Sequence, residues 1–101
     1  MVKKMRKVII DNEAKVQLRQ AYQYITRDSL KNAEKIKVKI FASIKDLNKN
    51  PEKHPADKYR KNNDKAFRAY ELYKYRITYY ISEEQIIVIR IRHTKMNPLE
   101  Y

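Results

Sequence analysis

Phe67-Arg-Ala-Tyr-Glu-Leu-Tyr-Lys-Tyr-Arg-Ile-Thr-Tyr-Tyr-Ile-Ser82 and then Gln85-Ile-Ile-Val-Ile-Arg-Ile-Arg-His93 form the stretch whose reading decides the fold. Ile77, Tyr79 and Ile81 alternate with Arg76, Thr78 and Tyr80, while Ile87, Ile89 and Ile91 alternate with Arg90 and Arg92. A period of two belongs to strands with one buried face. This third of the chain therefore reads as an antiparallel β-meander. Residues directly opposite each other in such a pair share a face. A two-residue link at Glu83-Glu84 sets Ile77 against Arg90 and buries a guanidinium. An odd link, most simply Glu83-Glu84-Gln85, sets Ile77 against Ile91 and Arg76 against Arg92; the neighbouring odd register sets Arg76 against Arg90. In both odd registers Arg76, Arg90 and Arg92 share the face away from the isoleucines. Like charges across a pair are destabilising, so this cluster calls for a bound anion, or for neutralisation by Glu71 or the acidic tail end. In the strand before, Arg68, Tyr70 and Leu72 lie on one side and Phe67, Ala69 and Glu71 on the other, with the core side left open.

Upstream, Lys7-Val-Ile-Ile10 reads as a short strand ended by Asp11-Asn12, either of which can cap a helix, with Glu13 suiting its dipole. Ala14, Leu18, Ala21, Tyr22 and Ile25 recur at helical spacing. Asp28-Ser29 breaks that helix and Ser29 opens a second, with Ala33, Ile36, Ile40, Ile44 and Leu47 as its stripe and Phe41 beside it. Asn48-Lys-Asn-Pro51 stops it, because proline disfavours helical backbone in the residue before it. The brief connection predicts an antiparallel helix hairpin. From Pro51 to Lys65 runs a polar connection, long enough to be a functional flap or mobile, in which Asn62-Asn-Asp64 takes the turn role of glycine. His54 within it reads as solvated surface. The expected architecture is α+β: an N-terminal strand, then an antiparallel helix hairpin packed on one face of a twisted, mainly antiparallel three- to four-stranded sheet.

A chain of 101 residues is one domain, residues 1–101, with a single modest core. Its 43% hydrophobic content is globular despite 36% charged residues. Cysteine is absent, which excludes disulfides and thiolate metal sites and fits a reducing cytoplasm. Glycine is absent too, which excludes phosphate loops and dinucleotide fingerprints. No apolar run approaches the roughly 20 residues that span a bilayer, and after the basic start only Val8-Ile-Ile10 precedes Asp11, too little for a signal-peptide core. A net charge of +12 favours nucleic acid, an acidic protein partner or an anionic surface.

The element order, with Arg68-Ala-Tyr-Glu71, Tyr75-Arg-Ile-Thr-Tyr79 and Ile89-Arg-Ile-Arg-His-Thr-Lys-Met-Asn-Pro-Leu-Glu-Tyr101, resembles the RelE/ParE superfamily of type II toxin–antitoxin toxins over essentially the whole chain. The resemblance implies a small cytoplasmic toxin, of the kind linked to plasmid stabilisation, neutralised by a cognate acidic antitoxin. Operator DNA is then bound only through the antitoxin complex. RelE-like members cut messenger RNA on the ribosome without a metal; ParE-like members poison DNA gyrase. The long hairpin looks like the ParE branch. Arg76 matches an arginine that RelE-like nucleases use on the scissile phosphate, whereas Phe67 and Ala69 stand where the best-known RelE pattern has lysines, and Met96 where it has an arginine.

Metal-free RNA cleavage needs a base for the 2′-hydroxyl, positive charge on the phosphorane and an acid for the leaving oxygen. Arg76, His93 and Tyr101 are the candidate catalytic residues. His93 is the candidate acid or base, Arg76 clamps phosphate, and Tyr101 stacks or relays a proton. Arg90, Arg92, Lys95, Tyr80 and Arg68 are the candidate phosphate- and RNA-binding residues. Two distant histidines without an acidic cluster make no metal site, and no cofactor is expected. Messenger cleavage by this Arg/His/Tyr set is the leading expectation, gyrase inhibition without nuclease activity the alternative, and a nontoxic basic nucleic-acid-binding module the third.

Overall fold

The computed structural model describes residues 6–96 and 101. Residues 1–5 of the basic start and the acidic tail residue Glu100, invoked above, lie outside the described residues. Strand β1 (Lys7–Ile10) leads to helices α1 (Asn12–Thr26) and α2 (Leu30–Lys45), short 3-10 turns at Asp46–Asn48 and Pro51–Lys53, then β2 (Phe67–Leu72), β3 (Tyr75–Ile81) and β4 (Gln85–His93). The sheet order is β1-β4-β3-β2, with β1 parallel to β4 and the other pairs antiparallel. This is the α+β arrangement expected, with the hairpin on one face of a four-stranded mixed sheet.

The two helices begin in different ways. Ser29 Oγ accepts from Asn32 N at 3.1 Å and caps α2. Asp11 holds the N-cap position of α1 without the side-chain bond expected of it, and its backbone N–H extends the sheet, donating to Val88 O at 2.9 Å. Beyond the end of β1, the edge of β4 is satisfied by α1, where Gln17 Oε1 accepts from Ile91 N at 2.7 Å. The buried stripes are Ala14, Leu18 and Ala21 on α1 and Ala33, Ile36, Ile40 and Ile44 on α2, joined by Leu47. They pack on Ile77, Tyr79, Ile86, Val88 and Ile91 of the sheet.

The β3–β4 register reaches the expected pairing by an unexpected route. Ile77 faces Ile91 and Arg76 faces Arg92, as the sequence predicted. Yet the link is a two-residue one at Glu83-Glu84, closed by Ser82 N donating to Gln85 O at 2.9 Å, with the Ser82 hydroxyl bridging the same ends. A bulge restores the parity: Thr78 faces Arg90 but Tyr79 faces Val88, so Ile89 is the extra residue. Consequently Ile86 and Val88 are core while Ile87 and Ile89 are only half-buried, which corrects the continuous isoleucine alternation read from the sequence.

The open parity of β2 resolves with Arg68, Tyr70 and Leu72 on the helix side, opposite Tyr79, Ile77 and Tyr75. Phe67, Ala69 and Glu71 share the other face with Tyr80, Thr78 and Arg76. That face is not open to solvent. Ala69 and Thr78 are buried at 3% and 2% exposure, so something covers them. The cover is the polar connection together with Tyr101. Ala56 bridges Arg68 beyond the β2 edge, Asp57 N donates to Phe67 O at 2.8 Å, and Ala69 N donates to Pro55 O at 3.2 Å. Asn63 staples the turn, accepting from Lys65 N at 2.9 Å and donating to Phe67 O at 2.8 Å. With no glycine available, Asn62 and Lys65 carry the positive φ values of 52° and 76° that the turn requires. His54, expected in solvent, is half-buried and stacked on Tyr70 with ring centroids 4.2 Å apart; burial, then the charge of Lys53, lowers its pKa.

Candidate functional site

The arginine face is organised around one carboxylate. Asp57 is buried at 3% exposure and accepts from Arg76 Nη2 at 2.8 Å, from Tyr59 N at 3.1 Å and from the Tyr101 hydroxyl. Burial pushes its pKa up, but the hydrogen bonds from Tyr101, Arg76 and the Tyr59 N–H, with the Arg76 charge, outweigh that and hold it below the ordinary value. Glu71, directly across the ladder, takes a second contact from Arg76 Nη1 at 3.3 Å. The Arg76 guanidinium also lies over the Tyr59 ring at 4.9 Å. Its Nε is buried without an acceptor among the described residues, a loss worth about 1–3 kcal/mol in general.

Aromatic rings extend the site along the sheet. Tyr101 is tied to the loop by backbone bonds, its N–H donating to Tyr59 O at 3.1 Å and its carbonyl accepting from Lys61 N at 2.7 Å. Its ring meets Phe67 edge-on at 5.7 Å, under the guanidinium groups of Arg90 at 4.6 Å and Arg60 at 5.1 Å. Burial and the Asp57 carboxylate raise the phenol pKa, so the hydroxyl stays protonated. Tyr80 stacks obliquely on Phe67 at 4.7 Å, further along the same face. Arg92, opposite Arg76, lines with Asp57, Glu71, Arg90 and His93 a hollow of about 60 Å³.

Of the residues singled out in the sequence, Arg76, Arg90, Arg92, Tyr80 and Tyr101 are brought to this face. Lys95 and Arg68 are not. His93 stands at the strand end opposite Tyr75, its ring edge-on at 5.1 Å, where it lines both the arginine hollow and the helix-side hollow beside Ile91. Its Nδ1 accepts from the N–H of Lys95, which sits in the exposed turn after β4. Arg68 points to the helix side and ties the loop, donating to the carbonyls of Lys65 at 3.1 Å, Glu52 at 3.2 Å and His54 at 2.7 Å. Sequence reasoning missed Asp57, Tyr59 and Arg60. The demand for a counter-ion was readable from three arginines on one face, but not which loop carboxylate answers it. Among the described residues no group of three histidine, cysteine, aspartate or glutamate side chains can hold a metal ion.

On the opposite side, Ile10, Lys15, Leu18, Arg19, Tyr22, Lys37 and Phe41 line a groove of about 310 Å³ between the helices and the free edge of β1. Among the described residues no helix is long and apolar enough to cross a membrane.

A helix hairpin over a mixed four-stranded sheet, with arginines on the sheet's far face, is the fold of the type II toxins of the ParE/RelE superfamily. A family model described as the ParE toxin of the type II toxin–antitoxin system, parDE, matches residues 8–98, and the chain belongs to that family. Two solved structures share the fold. A chain of the chromosomal ParDE TA system from P. aeruginosa superposes with a TM-score of 0.70 at 17% identity, covering 90% of this chain and 98% of that one. The YoeB dimer from Staphylococcus aureus gives 0.55 at 15% identity, covering 89% and 98%. A search of curated protein sequences returns no match.

Proposed function

We propose that this toxin acts by binding DNA gyrase and arresting it on DNA, without nuclease activity. The observation that carries the reading is the commitment of both the Arg76 guanidinium and the Tyr101 hydroxyl to the Asp57 carboxylate. Metal-free cleavage requires an acid, a base and a phosphate clamp around one reacting bond. Here the clamp is neutralised and the phenol is held protonated, and although His93 lines the same hollow, its Nδ1 is already taken by the Lys95 N–H. The ParE family match and the long α1–α2 hairpin support the same branch.

The toxin is neutralised in the cytoplasm by an acidic antitoxin, whose apolar and carboxylate side chains suit the groove where Leu18 and Phe41 lie beside Lys15, Arg19 and Lys37. Operator DNA is then contacted through that complex. The deciding experiment sets purified toxin against gyrase in a supercoiling assay, and in parallel against messenger RNA on translating ribosomes. Inhibited supercoiling with accumulated gyrase–DNA cleavage complexes and intact messenger is the expected result. Normal gyrase activity at excess toxin, with cut messenger, would overturn the reading in favour of the nuclease.

A further inference from the structure

We propose that the outer face of α2 binds double-stranded DNA along its phosphate backbone, without reading sequence. That face lies opposite the buried stripe of Ala33, Ile36, Ile40 and Ile44. Lys31, Lys35, Val38, Ala42 and Lys45 follow one another on it at helical spacing, with Lys39 on its flank, and all are exposed. Among the described residues no ion pair engages Lys31, Lys35, Lys39 or Lys45. The carboxylates between Leu30 and Lys49 have partners of their own. Glu34 accepts from the Tyr22 hydroxyl, and Asp46 pairs with Lys49 at 3.4 Å.

The lysines do not serve the helix that carries them. The first turn of α2 holds Lys31 and no carboxylate, whereas a helix N-terminus favours anions. Like charges four residues apart, Lys31 with Lys35 and Lys35 with Lys39, repel each other. Nor is the row the mark of a lysine-rich composition spread evenly over the hairpin. The outer face of α1 presents Val16, Gln20 and Gln23, all exposed. One helix is basic where its neighbour is neutral.

Shape and chemistry decide the polyanion. From Lys31 to Lys45 the row runs for roughly 21 Å at the helical rise of about 1.5 Å per residue. It is a straight line of charge, suited to a rigid rod that carries one phosphate per about 1.7 Å. Val38 and Ala42 keep its crest short and offer no side-chain donor or acceptor, so the backbone is gripped while base edges go unread. No aromatic ring stands in the row for an unpaired base to stack on; Phe41 turns toward α1 with Lys37. Two small apolar side chains are too few to anchor a helix in a membrane surface.

A toxin that arrests an enzyme at work on DNA gains from being held on the duplex. That use rests on the gyrase reading; the binding itself does not, and it is measured with no gyrase present. Being blind to sequence, it is also separate from the operator contact made through the antitoxin complex.

Lys31→Gln with Lys35→Gln tests the proposal, because glutamine keeps the helix propensity and removes the charge. Affinity for a short fluorescein-labelled DNA duplex of arbitrary sequence, read by fluorescence anisotropy, is expected to fall roughly tenfold, with the slope of log K against log salt shallower by about 2. Gln20→Glu with Gln23→Glu lowers the net charge equally on α1, where salt screens it from DNA lying on α2, and is expected to leave affinity and slope close to wild type. Lys31→Arg with Lys35→Arg is expected to bind as wild type does, since a backbone contact needs only the charge. No loss in the glutamine variant, an equal loss in the α1 variant, or a loss in the arginine variant overturns the proposal. So does loss of binding to phosphatidylglycerol vesicles with duplex affinity intact, which would make the row a membrane surface.

Discussion

On the helix side of the sheet, Ile77, Tyr79, Ile86 and Val88 are wholly buried against Leu18, Ile36, Ile40 and Ile44. On the far side, Arg76 and Arg90 are covered by Asp57, Tyr59 and Tyr101. Both covers exclude water from the same strands, and they do so by different physics. The apolar cover is non-directional and scales with area removed from water. The polar cover depends on individual donors meeting individual acceptors, so losing one partner strands the other. One face should therefore tolerate conservative change gradually, while the other should fail at a single residue.

The sharpest break is Asp57→Ala. It leaves the Arg76 guanidinium, whose side chain is 20% exposed, without its buried counter-ion, and should cost about 3–5 kcal/mol in urea denaturation at neutral pH. The cost should fall with pH. The folded pKa of Asp57 is depressed, so its ionised form stabilises the fold above the ordinary unfolded carboxylate value of about 3.9 and that contribution is lost as pH falls through the folded pKa. Repeating the titration at acid pH should bring wild type and Asp57→Ala together. A difference that persists there would mean that packing, not charge, holds the loop.

Ile77→Ala supplies the contrast on the apolar face. Deleting that side chain from a fully buried position should cost about 2–5 kcal/mol, and the difference from wild type should hold across the same pH range, because no ionisable group loses a partner. If the Ile77→Ala cost shrank in acid alongside that of Asp57→Ala, the two faces would be one cooperative electrostatic unit and the comparison would collapse.

The unequal legibility of the two faces in the sequence has the same origin. Apolar burial writes itself locally, so Leu18, Ile36, Ile40 and Ile77 announce their faces by spacing alone. The Arg76–Arg92 pairing followed from the need to keep guanidinium groups out of that core. The bulge at Ile89 was not readable, because a two-residue link plus one extra residue gives the same local pairing as a three-residue link. Asp57 was not readable either. It lies 19 residues before Arg76, in a loop whose course depends on Asn63, Arg68 and Tyr101 acting together, and nothing in Pro55-Ala-Asp-Lys-Tyr59 distinguishes that aspartate from a solvated one. Arg68 went to the helix side for a similar reason: strand parity decides its face, and parity is settled by pairing partners far along the chain.

The smallest expected effect concerns the turn joining the two strands whose ends carry Glu71 and Arg76. Tyr73 and Lys74 both hold positive φ, at 51° and 67°, the pattern of the tight hairpin turn that favours asparagine and glycine. An L-residue with a Cβ pays for that backbone by roughly 1–2 kcal/mol, and the Tyr73 ring is 40% exposed, so little packing is at stake. Replacing the pair by Tyr73→Asn with Lys74→Gly should stabilise the chain by about 1 kcal/mol, the gain in backbone comfort being partly offset by the added freedom of the unfolded state. The Lys74 carbonyl that accepts from Thr94 N at 2.8 Å survives the change. Because the turn sets the register that places Glu71 opposite Arg76 but touches neither cover, the gain should appear equally at neutral and acid pH. A gain confined to neutral pH would show that turn strain and the Asp57–Arg76 pair are coupled, and that the polar face is held partly by the geometry of the hairpin rather than by the carboxylate alone.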